Sequence, residues 1–287
     1  MSDGGALFCE ALTKAALYLA LQCAVGAAAA YWLARSCGVI ASSGQSEIEG
    51  RLQRAALWAS AALLASTVAR SFGHAAAAFG LIDADSLRTV ALESRWGHSW
   101  RIQAGAAVLL CVTAQGVWRA RPTGWTLYSF AALLYCACVP LVGHGAGAWP
   151  RTALHAVHVA AGAVWIGTLV MLVFLVSGRR TGDTAAVRRM IEAFSGVALP
   201  SAAILVATGT VASVLYVQQI AHLWDSTYGR VLVAKLSLVA VVAACGRRNW
   251  QRSRRGATPS LRVMMIELSA AALVVMVTGV LTELEHP

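Results

Sequence analysis

Eight apolar runs, each long enough to cross a bilayer as a helix, restrict this chain more than any other feature. They lie near residues 9–34, 52–73, 98–118, 124–143, 153–177, 191–217, 229–246 and 262–282. A hydrocarbon core of roughly 30 Å is crossed by about 20 helical residues. Within it only a helix or a closed barrel satisfies its own backbone, and continuous rather than alternating apolarity selects helices. Composition closes the alternatives. With 58% hydrophobic and 13% charged residues, against about 25% charged in a soluble domain, the chain cannot coat a water-facing globule, and a disordered chain needs the opposite balance. The expectation is an all-α, polytopic membrane bundle of about eight helices, one transmembrane domain over residues 1–287. Its N-terminal part is 1–97 and its core 98–287. Residues 74–97, with Asp83, Asp85, Arg88, Glu93 and Arg95, read as a long loop or an interfacial helix. The run Ala15–Ala34 is long for a signal sequence, and Asp3 and Glu10 spoil a basic flank, so it reads as an uncleaved first span.

Charge placement orients the bundle. Arg35, Arg51, Arg54, Arg119, Arg121, Arg179, Arg180, Arg188, Arg189, Arg247, Arg248, Arg252, Arg254, Arg255 and Arg262 belong to one set of loops, fifteen cations in all. The other side, with nearby span ends, holds Lys14, Arg70, Arg88, Arg95, Arg101, Arg151, Arg230 and Lys235, which is eight. The positive-inside rule puts the first set in the cytoplasm, so eight spans leave both termini outside. The net charge of +10 is then a matter of loop placement, and no nucleic-acid partner is expected.

All seven histidines fall on the outer side of this topology. His74 ends the second span, His98 opens the third, His144 ends the fourth, and His155 and His158 open the fifth; His222 and His286 lie in outer segments. Histidine is the commonest protein metal ligand and costly near lipid. His155 and His158, three apart, share a helix face, and His144 stands across a short Gly–Pro turn from them, so three imidazoles can converge at one mouth. A lone interfacial histidine is more often only hydrogen-bonded; the clustering carries the metal reading. The candidate ligands are His144, His155 and His158, with His98 or His74 completing the set.

Other groups say less. The seven cysteines include no C-x-x-C and read as small apolar residues. Methionines such as Met276 suit soft copper but also core packing. Glu267, inside the last span, is either a structural anchor or a step in a cation path. Lys235 reads as snorkelling to the interface. No phosphate-binding loop, zinc-protease helix or nucleophile elbow is present, so neither ATP-driven work nor an enzymatic reaction is expected of this chain alone.

Several segments in order resemble the CopD/PcoD copper-resistance membrane proteins. They are Trp96-Gly97-His98-Ser99-Trp100, Val142-Gly143-His144-Gly145, and Leu154-His155-Ala-Val-His158 through Trp165-Ile166-Gly167-Thr168. Tyr228-Gly229-Arg230 through Lys235 with Arg248-Asn249, and Glu267 through Thr282, follow. The match covers about residues 90–287, with 1–89 similar by hydropathy. Thr168 stands where a second glycine is common, and no soluble β domain is fused. The resemblance implies a bacterial inner-membrane protein that binds copper at its periplasmic face, supplied by a separate CopC-like periplasmic carrier, and moves it into or across the membrane along a path that includes Glu267 and Met276. Trp165 and Gly167 are expected to shape helix packing. Two alternatives stay open: a b-type cytochrome holding haem b between His98 or His144 and His155 or His158, which gives an electron-transfer role, and a scaffold for copper insertion into a partner oxidase.

Overall fold

The computed structural model describes residues 3–40, 47–80, 82–118, 122–142, 149–177, 184–216, 222–255 and 260–282. Among them the regular structure is entirely helical. The helices are α1 (Asp3–Ser36), α2 (Glu47–Phe79), α3 (Ala84–Arg88), α4 (Arg95–Val117), α5 (Pro122–Cys138), α6 (Trp149–Ser177), α7 (Thr184–Ala193), α8 (Ser195–Tyr216), α9 (His222–Asp225), α10 (Thr227–Arg254) and α11 (Leu261–Leu281).

Seven of the eight expected runs form helices long and apolar enough to cross a membrane: α1, α2, α5, α6, the α7–α8 stretch Arg188–Leu215, α10 and α11. The remaining run is α4, whose polar Arg101, Gln103 and Gln115 lower its hydropathy. At 23 residues it is about 35 Å long, and it packs along α2 and α5 as an eighth rod. The segment expected as a loop or interfacial helix divides three ways. α2 runs on to Phe79; Asp83 then caps α3 by accepting from Ser86 N at 2.7 Å; a single wide turn, Thr89–Glu93, leads to Ser94, which caps α4 through Gly97 N.

α1 is the central rod. Its alanines, among them Ala15, Ala24, Ala27, Ala30 and Ala34, are buried, and their small size lets α2, α5, α6 and α11 pack against it. Closest is the crossing with α6. A Cβ placed on Gly167 would lie 2.0 Å from the Gln22 carbonyl oxygen, and one on Gly26 2.2 Å from the Gly167 backbone. Only paired glycines allow that approach, a common device of helix association in lipid. Gly167 thus has the packing role expected of it. Farther along, Tyr31 of α1 stacks on Trp125 of α5 with centroids 4.3 Å apart.

The bundle has two chemically different ends. At one, arginines tie helices together: Arg51 of α2 donates to the carbonyls of Leu175 (3.0 Å) and Phe174 (2.5 Å) at the end of α6. At the other, Lys14 donates to Thr282 O at 3.4 Å, joining α1 to the end of α11. The histidines gather at this second end.

Candidate functional site

α6 contributes His155 and His158, both half-buried near its start. His158 Nδ1 lies 2.8 Å from Thr208 Oγ1 of α8. The Thr208 hydroxyl spends its one hydrogen on the Ile204 carbonyl at 2.6 Å, so toward the ring it acts as acceptor. His158 must then carry its proton on Nδ1 and leave the Nε2 lone pair free. That is the arrangement of a metal-binding imidazole held by an outer partner.

α2 contributes His74. Its Nδ1 lies 2.9 Å from Glu10 Oε1 of α1, so Nδ1–H donates to the carboxylate and Nε2 is the ring nitrogen that this contact does not engage. Its ring stacks on Trp96 at 4.3 Å and 9°. Trp96 in turn faces Trp100, 6.2 Å away, and lies under Arg70 at 5.9 Å. Trp100 donates to Thr67 O at 2.8 Å. The ring is therefore fixed in plane, with Nδ1 turned to Glu10.

The two histidine pockets flank one turn of α1. Glu10 meets His74, and Lys14, one turn on, is within electrostatic range of His155; Lys235 of α10 reaches the field of both His155 and His158. Two ammonium groups thus surround the α6 imidazoles, while a carboxylate backs the α2 imidazole.

The remaining candidates are placed as follows. His98 is exposed on α4. His144 and His286 lie outside the described residues, as does the His222 side chain, whose backbone opens α9. Among the described residues, no three His, Cys, Asp or Glu side chains come together as a metal-holding group; the expected three-imidazole set includes His144 and is not represented there. Glu267, 2% exposed, lies at the arginine end, beside Asn249 and with Oε1 3.2 Å from where a Gly246 Cβ would stand. Lys235 is eleven residues away along α10, ~16 Å, so the two do not pair. Met276 is 39% exposed, on the outer face of α11.

Two partners were missed in the sequence. Glu10 counted only against a signal peptide, although an acid at the edge of an apolar run is itself a flag. Thr208 gave no signal, because a threonine in an apolar helix normally bonds only its own backbone.

Fold and composition define a multi-pass helical membrane protein. Residues 1–151 match the family model described as copper resistance protein D-like, N-terminal domain, and residues 188–281 match that of copper resistance protein D. The chain belongs to the CopD/PcoD copper-resistance family. The first match covers α1 to α5, where the sequence segments quoted above were sparse. Comparison with curated proteins and with solved structures returned no match.

Proposed function

We propose that this protein takes up copper at its histidine end and passes it into or across the bacterial inner membrane, that end facing the periplasm and both termini lying there. The observation that carries this reading is the paired pinning of His158 by Thr208 and His74 by Glu10, each at hydrogen-bond distance. In both rings the Nδ1 contact leaves Nε2 as the nitrogen through which a copper ion would be held. His155 shares the α6 face with His158, and His144, from the segment just before α6, is the natural third donor. The ammonium groups of Lys14 and Lys235 oppose a cation beside His155. In a carrier this is an advantage, because an ion held too firmly is not released. Glu267, buried at the opposite end, is the acidic group that would receive the ion before it leaves. A periplasmic CopC-like carrier would deliver copper to the His74 and His158 pockets.

The test is copper binding by the purified protein, measured by titration against a chelator of known affinity. A His74→Ala/His158→Ala double variant is expected to lose the outer copper, and undiminished binding would overturn the assignment. The absorption spectrum of the same sample tests haem. A Soret band that shifts on dithionite reduction would favour haem, and its absence is the outcome expected on the copper reading.

A further inference from the structure

The last turns of α10 carry a dense run of positive charge that the copper reading does not use. Arg247, Arg248, Arg252, Arg254 and Arg255 fall within nine residues, and no Asp or Glu occurs from Ser226 to Ile266. Arg247, Arg248, Arg252 and Arg255 are exposed. With Ala244 and Gln251 they line one open concavity of about 520 Å³. Among the described residues, no carboxylate pairs with Arg247, Arg248 or Arg255. The spacing accounts for the shared face, because residues three, four, seven and eight apart on a helix point the same way. At about 100° per residue, this face lies opposite Val242 and Asn249, the residues that α10 buries toward the bundle.

Two ordinary reasons for basic residues here fall short. The positive-inside rule counts the cations of a loop and is indifferent to the face they occupy. A helix dipole favours cations in the last turn, and Arg247 and Arg248 stand about two turns before α10 ends. Four like charges on one stripe repel one another, and an anion lodged among them relieves the conflict. Depth points to the source of that anion. Trp250 lies under Arg254, with the guanidinium carbon 5.2 Å from the ring centre, and a tryptophan among basic residues at the end of a span sits at headgroup level. Toward the membrane interior the same face continues as Ser237, Ala240, Val241 and Ala244, all exposed. The Ser237 hydroxyl is spent on the Val233 carbonyl at 3.0 Å, which leaves this strip apolar. Only 17% of the apolar stretch of α10 is buried by protein. A cationic patch that runs on into an open apolar strip matches an amphiphile, whereas a free phosphate uses the patch alone.

We propose that the outward face of α10, at the arginine end of the bundle, binds an anionic phospholipid of the adjoining leaflet. Arg247, Arg248, Arg252 and Arg255 hold the phosphodiester, each guanidinium being able to donate to two oxygens at once. The hydrocarbon tails lie along Ala240 and Val241. A zwitterionic lipid carries the same phosphate, but its own ammonium group cancels the charge, so the site selects an anionic headgroup. No residue is shared with the copper assignment, and the two readings stand or fall separately.

The experiment titrates the full-length protein, in a non-ionic detergent, with dioctanoyl-phosphatidylglycerol and reads the lipid-bound fraction by native mass spectrometry. Dioctanoyl-phosphatidylcholine and inorganic phosphate form two further arms. The anionic lipid is expected to bind saturably, roughly tenfold or more tighter than the zwitterionic one, and to be undisturbed by phosphate at the same concentration. Arg248→Gln/Arg255→Gln should weaken this binding about 30-fold. Arg54→Gln/Arg188→Gln removes two other exposed arginines and should leave it unchanged. If the first variant aggregates on gel filtration, Arg255→Gln alone, about fivefold weaker, carries the same test. Equal binding of the two lipids, displacement by inorganic phosphate, full affinity in the folded Arg248→Gln/Arg255→Gln protein, or an equal loss in the Arg54→Gln/Arg188→Gln protein overturns the proposal.

Discussion

Replacing Gly167 by alanine tests the idea that the α1–α6 crossing sets the geometry of the histidine end. The added Cβ would start 2.0 Å from Gln22 O, while ordinary contact begins near 3.4 Å. The helices must therefore separate by about 1.4 Å along that line, because the obstacle is backbone and cannot rotate away. Overpacking of this kind costs about 1–3 kcal/mol, sometimes more. For a chain of this size each kcal/mol lowers Tm by roughly 2–4 °C, so a fall of about 2–12 °C is expected. Reaction of the native cysteines with a fluorogenic maleimide on heating reports the transition in detergent, since Cys136 and Cys138 are buried on α5. Gly105→Ala is the control. Nothing lies within 4 Å of its added methyl, and in a helix interior that exchange favours folding by about 0.5–1 kcal/mol. If Gly167→Ala melts with the wild type, or the two variants shift alike, the close crossing is not what holds α6 to α1.

Four further outcomes follow from the site. Thr208→Val removes the acceptor for His158 Nδ1–H and should weaken copper binding by about 10–100-fold in the chelator titration, with Tm nearly unchanged. Lys235→Met removes a positive charge near both α6 imidazoles and should tighten copper binding, roughly tenfold, in the same assay. Glu267→Gln keeps the shape of a buried side chain and should leave outer copper binding intact while stopping copper entry into dye-loaded liposomes. At Asp83, the Ser86 amide holds the carboxyl below its ordinary value of 3.8. A depressed carboxylate stabilises the fold above its ordinary value and loses this effect as pH falls through the lowered one. Hydrogen exchange at Ser86 should therefore be protected at neutral pH and lose protection only well into acid.

Much of the fold was legible because the bilayer demands long apolar helices and tolerates little else. The eight runs correspond to α1, α2, α4, α5, α6, α8, α10 and α11, although α2 extends to Phe79, beyond the apolar stretch that announced it. In α4 two polar groups that lower the mean hydropathy do not face lipid alone: Gln103 is buried in protein, and Arg101 donates to the Ala91 and Leu92 carbonyls. The site was legible in part. Histidines stand out in an apolar chain, and their common side follows from loop charge. Their partners do not stand out, because Glu10 and Thr208 meet His74 and His158 only through helix packing, 64 and 50 positions away.

The helix that orients His158 is also the one its own chain covers least. Only 6% of the apolar stretch containing α8 is buried by protein, against 72% for α1, and Leu199, Val206 and Val214 stand open. Acyl chains must supply the missing wall. The Thr208 hydroxyl is then positioned partly by the solvent of the membrane, and stripping annular lipid with a harsh detergent would loosen an imidazole that no mutation has touched.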